Sequence, residues 1–396
     1  MTSIVFYFQV HQPFRIKPFT FFDIGHDPFY EDDYLNKQIF NKISNKCYLP
    51  ANHLFERLIK HFGNQVKLTY SISGMALEQM KQYRPDVLTS FQNLVSSGNV
   101  ELLAETYYHS LSSVFDDDEF EFQVKMHQNE IKNLFNYDAQ SFRNTELIFS
   151  NQIAERVENL GFTATLCEGL KKITLQENEN QVFRAKTKKG TLKVLPRNFK
   201  LTDDIAFRFS AKEWKEWPLT PEKYYNWLKT MAVEEQRESI HLFMDYETFG
   251  EHQWADTGIF DFIERLFGLI AVSDCMYLAT VTEAASASKA SSLIDSPQLT
   301  SWADTERDLS AWNQNSMQRD AIKKAYQLIK KIRLGNYSED ILKTAGKFLS
   351  SDHFYYMSTK HFNDGAVHQY FSPYNSPYDA YLYYTNALAD FISRIN

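Results

Sequence analysis

The sequence of 396 residues alternates short apolar or β-branched runs with longer amphipathic stretches, and this alternation constrains its fold most strongly. The short runs are typical of buried strands, whereas the longer stretches have the spacing of helices that cover a sheet. The predicted strands are 4–10, 66–71, 100–104, 141–148, 163–167, 192–195 with 205–209 nearby, and 240–244. About seven alternations predict a parallel sheet with helices outside it, either a closed barrel or an open doubly wound sheet.

The residues that follow the predicted strands and helices help to choose between these sheets. The predicted helices are 51–62, 75–95, 119–135 and 151–160. Gly63 and Gly161 follow two of them, as is common where helices end. An open sheet that binds dinucleotides would need a glycine-rich turn after the first strand, and His11-Gln12-Pro13 occupies that position instead. We therefore expect an α/β fold with a barrel-like sheet.

The composition of the chain changes beyond residue 278. Residues 283–292 are small and polar, which is typical of a linker or a loosely packed turn. The rest of the chain has helical periodicity, at about 304–334, 338–350 and 378–395, and lacks strand-like runs. We therefore predict two domains, an α/β domain at residues 1–282 and an α-helical domain at residues 283–396.

Charge, hydropathy and cysteine content exclude several classes of partner. The net charge of −8 argues against nucleic acid and anionic membranes, since both require a basic surface. No stretch approaches the 18 or so apolar residues of a membrane span, so we expect no membrane partner. Cys47, Cys167 and Cys275 are scattered and odd in number, which favours neither a disulfide framework nor a thiolate zinc site. A reducing, cytoplasmic setting fits best.

Acids and histidines recur where predicted strands end, and the carboxyl ends of parallel strands meet at one face of a sheet. These residues are His11, Glu101, Glu105, His109, Glu146, Asp245 and Glu247. Each has an ordinary explanation: Glu146 could cap the following helix, and Glu247 could pair with an arginine. Together, however, several carboxylates in one cleft would raise at least one pKa. One protonated and one ionised acid are what hydrolysis of a glycosidic bond requires.

Aromatic residues are abundant, at 15% of the chain. They can fill a core, and they can also line a cleft and stack on the faces of sugar rings. A metal-dependent reaction is less favoured, because zinc sites prefer paired His or His/Asp ligands at close spacing, and no Asp stands two residues after His11. We expect neither a catalytic metal nor a cofactor.

Five segments, spread over nearly the whole chain, resemble in order the five conserved regions of glycoside hydrolase family 57. They are HQP at 11–13, GNVEL at 98–102, FRNTELI at 142–148, MDYETFGEH at 244–252 and SSDHF at 350–354. Within that family the chain is most similar to the α-amylase group. The resemblance implies a seven-stranded (β/α)7 barrel, followed by a C-terminal α-helical domain that helps to close the cleft.

The resemblance also implies roles for individual residues. Glu146 matches the catalytic nucleophile and Asp245 the general acid/base, while His11, Glu101 and Asp352 match positions that line the sugar subsite. Further candidates for substrate binding are His109, Arg197, Glu247, His252, Trp302 and His353. Trp302 is either a stacking platform for sugar or a tryptophan that packs between helices.

These roles predict a retaining glycoside hydrolase that cleaves α-1,4-glucans by a double displacement on two carboxylates. Its partner would be an α-glucan oligosaccharide or polysaccharide. Three alternatives stay open: a 4-α-glucanotransferase on the same site, a catalytically silent glucan-binding protein, and a metal-dependent deacetylase or mannosidase with a related β/α core. The family's transferases tend to have tryptophan where this chain has His252, and that favours the amylase reaction.

Overall fold

The structure is a computed structural model, and it describes residues 1–360 and 372–395. The strands are β1 (Thr2–Val10), β2 (Leu68–Ile72), β3 (Val100–Leu102), β4 (Ser141–Phe142), β5 (Ala164–Glu168), β6 (Phe183–Ala185), β7 (Lys193–Arg197), β8 (Ser239–Asp245), β9 (Met276–Leu278) and β10 (Leu293–Ile294). All nine residues of β1 are buried, as expected of a strand that is covered on both faces.

Helices separate most of these strands and make up the C-terminal part of the chain. They are α1 (Asp33–Ile43), α2 (Leu49–Phe62), α3 (Gly74–Tyr83), α4 (Pro85–Ser96), α5 (Ser112–Phe115), α6 (Asp117–Phe135), α7 (Asn151–Asn159), α8 (Phe199–Ala206), α9 (Pro221–Val233), α10 (Ile259–Ala271), α11 (Val281–Ala287), α12 (Ser310–Asn313), α13 (Ser316–Leu334), α14 (Glu339–Lys347), α15 (Ser351–Tyr356) and α16 (Pro377–Ile395). Within the described ranges, no helix combines the length and apolarity needed to cross a bilayer.

The strands pair in two sheets. The first has the order β3-β2-β1-β8 with β9 beside β1, and the second has the order β10-β6-β7-β5-β4. Every ladder is parallel except that between β6 and β7. A bridge from Ala104 to Phe142 joins β3 to β4, and the amide of Asn198 donates to the carbonyl of His241 on β8 at 2.9 Å. These pairings confirm an α/β fold with C-terminal helices, but ladders divided between two sheets do not establish a closed barrel.

Two of the strand predictions are wrong in detail. The segment 141–148 forms only the two residues of β4, because Glu146 and Leu147 have positive φ angles of 55° and 50°, which a pleated strand cannot accommodate. The segment 205–209 is no strand, since Ile205 lies in α8. There the Asn198 side chain accepts a hydrogen bond from the amide of Leu201 and starts a helix instead.

The predicted linker at 283–292 is also partly wrong, because its first half belongs to α11. Thr280 and Glu283 form a capping box that satisfies the exposed amides at the start of this helix. The small residues Ala284 and Ala285 are buried in the same apolar cluster as Val5 of β1. Small side chains therefore let α11 approach the sheet closely.

The C-terminal helices share an apolar core with the second sheet. One buried cluster contains Phe142 of β4 and Val194 of β7 together with Tyr384 and Phe391 of α16. The domain boundary at residue 282 stays a prediction, and residues 361–371 and 396 of the predicted second domain lie outside the described residues.

Asp390 ties α16 to the loop after β1, and we expect its removal to destabilise the fold. Its buried carboxylate accepts hydrogen bonds from the Gly25 amide (2.6 Å), the Tyr30 hydroxyl (2.7 Å) and Arg394 (2.6 Å). Asp390→Asn replaces one carboxylate oxygen, an acceptor, with an NH2 group that faces hydrogen-bond donors. The free energy of unfolding should therefore fall by about 2 kcal/mol. Urea unfolding measures this, with the exposed Asp274→Asn as the control. Equal stabilities of the two variants would contradict the assigned role.

Candidate active site

Half-buried acids and histidines meet where β1 and β8 end. His11 follows β1, Asp245 is the last residue of β8, Glu146 lies in the loop after β4, and Asp352 opens α15. His109, from the loop after β3, is almost fully buried beneath them. We call these five residues the acid cluster. Because each comes from a different loop or strand end, the cluster exists only in the folded protein.

The Glu146 carboxylate is held by two hydrogen-bond donors. His109 Nε2 lies 3.0 Å from Oε1, and the indole Nε1 of Trp302 donates to Oε2 at 2.6 Å. Burial opposes the ionisation of Glu146, but the His109 hydrogen bond and charge, the Arg143 charge and the Trp302 hydrogen bond outweigh it and lower its pKa. Glu146 is therefore an anion at neutral pH, and its side chain is 25% exposed.

His109 lies between two carboxylates. Its Nδ1 is 3.1 Å from Oε2 of Glu105, a fully buried residue, and its other ring nitrogen contacts Glu146. Burial alone would lower the pKa of His109, but these two hydrogen bonds raise it to about 9. The ring is therefore an imidazolium that donates to both acids. Its backbone lies in the left-handed region, with a φ of 50°.

His11 stacks on His109, with ring centroids 3.9 Å apart and 16° between the planes. Its Nδ1 lies 2.7 Å from the Ser73 hydroxyl and its Nε2 lies 2.9 Å from Asp352 Oδ2. Burial and the His109 charge lower the pKa of His11, so the ring is neutral, with Nε2 as donor and Nδ1 as acceptor. Asp352 also accepts from the Ser350 hydroxyl at 2.6 Å, and its electrostatic interactions and hydrogen bond with His11, together with His109 and Ser350, lower its pKa despite burial.

Asp245 differs from Glu146 and Asp352 because its pKa is raised. Burial and the negative charge of Glu146 raise the pKa of Asp245 to about 6. Two residues further on, Glu247 accepts hydrogen bonds from Tyr48 and from the Gln12 side chain, the latter at 3.3 Å. Burial and the nearby Asp245 raise the pKa of Glu247 to about 8. The end of β8 thus carries two carboxyl groups with raised pKa values, so each stays protonated to a higher pH than an ordinary carboxyl group does.

Trp302 lies against cations as well as against Glu146. The guanidinium carbons of Arg143 and Arg197 lie 5.2 and 5.7 Å from its ring centroid. Both distances are within the range of cation–π attraction, which fixes the orientation of the ring. Its contact with a sugar ring stays a prediction. Trp312, further along the chain, is 1% exposed and packs in the helical core.

Some predicted site residues are engaged elsewhere. Glu101 bonds to Thr69 and to the amide and hydroxyl of Thr282, so it caps α11 instead of joining the acid cluster. His353 is buried, with Nε2 3.1 Å from the Lys347 carbonyl. His252 is half-buried in the loop after β8, where burial lowers its pKa to about 4.

Arg197 is likewise occupied by protein groups. It donates to the Phe243 carbonyl at 2.8 Å, to Glu168 at 3.1 Å and to Asp203 at 2.6 Å. The first of these bonds links β7 to β8, and together the three occupy the guanidinium of Arg197 with protein groups. Direct contact between Arg197 and a substrate has no support in this geometry.

The structure adds Ser73 and Arg143, which the sequence did not place in the site, and it gives Glu105 a partner there. Glu105 and Ser73 orient the two stacked histidines, and Arg143 lies under Trp302. Glu105 is among the acids expected at predicted strand ends, and Arg143 stands near such an end, whereas no sequence signal indicates Ser73. No group of three or more His, Cys, Asp or Glu side chains is arranged for a metal ion within residues 1–360 and 372–395.

Comparison with known proteins shows the family of the chain. The profile of "Glycosyl hydrolase family 57" matches residues 5–297. The chain belongs to glycoside hydrolase family 57. This family 57 hydrolase is 41% identical over 403 residues to a Methanocaldococcus jannaschii protein named "Putative alpha-amylase", an alignment that covers 98% of the chain and 84% of the relative.

Solved structures share the fold at low sequence identity. A family 57 branching enzyme from Thermococcus kodakaraensis superimposes with a TM-score of 0.70 at 13% identity, over 93% of this chain and 87% of the enzyme. A 4-alpha-glucanotransferase from Thermococcus litoralis gives 0.68 at 16% identity, over 89% of this chain and 56% of the transferase. At such identities the likeness shows the fold alone.

Proposed function

We propose that this protein is a retaining hydrolase of α-1,4-glucans, with Glu146 as nucleophile and Asp245 as general acid and base. One observation carries the proposal: His109 and Trp302 favour the ionised form of Glu146 in the loop after β4, whereas burial and the Glu146 charge favour the protonated form of Asp245 at the end of β8. Double displacement on a glycoside needs this pair of states. The 41% identical relative supports an α-glucan substrate.

The first step forms a glycosyl-enzyme. The Glu146 carboxylate attacks the anomeric carbon, and the bond from this carbon to the glycosidic oxygen breaks. Asp245 gives its proton to the departing oxygen, so the negative charge leaves Glu146 and appears on Asp245. His109 and Trp302 hold the nucleophile in one orientation through both of its oxygens, which limits the reorganisation that the step requires.

The second step releases the sugar. Asp245, now an anion, removes a proton from water, and the resulting oxygen attacks the anomeric carbon and frees Glu146. A sugar hydroxyl in place of water would give transfer to a new chain. We propose that the subsite where the cleaved sugar lies is lined by His11, His109 and Asp352. The stacking of the two histidine rings and the contact of His11 with Asp352 keep these residues together.

We also infer that seven strands enclose the floor of this site as one barrel. The order would be β1-β2-β3-β4-β5-β7-β8 and back to β1. The bridge from Ala104 to Phe142 supports the junction of β3 with β4. Two hydrogen bonds support the junction of β7 with β8, from the Asn198 amide to the His241 carbonyl and from Arg197 to the Phe243 carbonyl.

Product analysis tests the reaction. Maltoheptaose and soluble starch are incubated with the purified protein, and reducing ends and chain lengths are followed together. We expect net reducing ends to appear and the chains to shorten, without inhibition by a chelator. Redistributed chain lengths at constant reducing ends would replace the hydrolase with a 4-α-glucanotransferase. Absence of products with oligosaccharide binding retained would indicate a glucan-binding protein, and loss of activity on chelation would favour a metal-dependent reaction.

A further inference from the structure

Arg143 is a buried cation that lacks hydrogen-bonding partners. Its residue is 0% exposed, and Nε, Nη1 and Nη2 make no hydrogen bond to any residue in the described ranges 1–360 and 372–395. Arg197, buried nearby, is matched by two carboxylates and a carbonyl. An unpaired charge out of water carries a desolvation cost that good hydrogen bonds normally offset. A cation without them therefore requires another explanation.

The groups around Arg143 provide one. Its guanidinium lies over the Trp302 ring, whose indole holds Glu146. The ionisable groups whose pKa values the Arg143 charge affects come from several elements. They are Tyr7 of β1, Glu105 and His109 of the loop after β3, Glu146 of the loop after β4, and Asp245 of β8. On its β7 side Trp302 also contacts the Arg197 guanidinium. Arg143 directly follows β4 and thus lies among groups from both sheets.

We propose that Arg143 is a positioning residue for the reaction, which supports the negative charge of the Glu146–Asp245 pair through its field and fixes Trp302 against the nucleophile, without touching the substrate. The inference rests on the proposed function. Arg143 is absent from the surface, so it does not contact the substrate. Its position favours the anionic form of both acids, because its charge lowers the pKa of Glu146 and opposes the rise in the pKa of Asp245.

The lack of a direct ion pair is useful in this role. Both oxygens of Glu146 already accept a hydrogen bond, and a bonded guanidinium would add a third donor that competes for the lone pairs needed at the anomeric carbon. A cation at a greater distance stabilises charge without occupying an oxygen. In the first step the negative charge passes from Glu146 to Asp245, and Arg143 interacts with both. It can therefore support the charge before and after the proton is given away.

Arg143→Met tests this inference, with Arg143→Lys and Arg197→Met as the comparison variants. Arg143→Met removes a buried charge and no hydrogen bond, so its midpoint of thermal unfolding should equal or exceed that of the wild type. Arg197→Met leaves Glu168 and Asp203 unpaired and should lower the midpoint. Arg143→Met should cut kcat/KM on maltoheptaose by roughly 10- to 100-fold and move both limbs of the pH profile upward. Arg143→Lys should keep the limbs near their wild-type positions.

A readout independent of activity separates this inference from the proposed function. The Asp245 carboxyl is followed by ¹³C NMR in protein labelled at aspartate and assigned by its loss in Asp245→Asn. We expect Asp245 to titrate at higher pH in Arg143→Met than in the wild type. An unmoved titration, or a thermal midpoint that falls as in Arg197→Met, would overturn the role of Arg143 alone. A moved titration in a protein without glucan cleavage would overturn the proposed function and leave the role of Arg143 supported.

Discussion

Glu146→Gln is expected to lower kcat for glucan cleavage on the order of 10⁴-fold or more, because an amide cannot form the glycosyl-enzyme. The fold should persist, since the side chain is 25% exposed and glutamine keeps its size and one acceptor oxygen. Reducing-end assays on maltoheptaose measure the loss, and thermal unfolding checks the fold. The exposed Glu56→Gln serves as the matched control and should retain wild-type activity.

Rescue by a small nucleophile makes the assignment of Glu146 sharper. In Glu146→Ala the space of the carboxylate becomes open to azide, which would attack the anomeric carbon from the same face as Glu146. The product should then be a β-glycosyl azide, detectable by NMR with an activated maltosyl fluoride as substrate. Near wild-type activity of Glu146→Gln, or an α-configured azide product, would show that another group is the nucleophile.

The local sequence revealed which strand ends carry acids, but it did not reveal how those acids are held. Glu101 lies within β3 and Glu105 follows it; Glu101 caps α11, whereas Glu105 orients His109. Which of two acids four residues apart reaches the cleft depends on where the strand ends and what packs beside it. Both are tertiary facts, and no local pattern encodes them.

The same limit applies to the loop after β4. The apolar residues around Glu146 favoured a continuous strand, but the left-handed backbone of Glu146 and Leu147 turns the chain there instead. That conformation brings the Glu146 carboxylate to His109 and to Trp302, a residue more than 150 positions away. The nucleophile could be predicted by position, whereas its protonation state follows from contacts that only the folded chain provides.

Asp245→Asn is expected to reduce kcat on maltoheptaose by about 10³-fold, because a glucosyl leaving group needs a proton as it departs. Maltosyl fluoride needs none, since fluoride leaves as an anion, so its first step should be far less affected. We therefore expect a fluoride-release burst from Asp245→Asn, followed by slow turnover while the glycosyl-enzyme awaits a base. Equal losses on both substrates would contradict a general acid/base role and would indicate that Asp245 only binds or orients the sugar.

The pH profile gives an independent test of the same residue. Asp245 must carry its proton in the first step, and burial together with the Glu146 charge raises its pKa to about 6, so wild-type kcat/KM should fall as the pH rises through about 6. At low pH, kcat/KM should fall only below the pH range in which a glutamate ordinarily titrates, because the pKa of Glu146 is lowered. The two acids interact, so both limbs belong to the pair. With maltosyl fluoride the alkaline limb should vanish in Asp245→Asn while the acid limb remains, since only the proton donor has been removed.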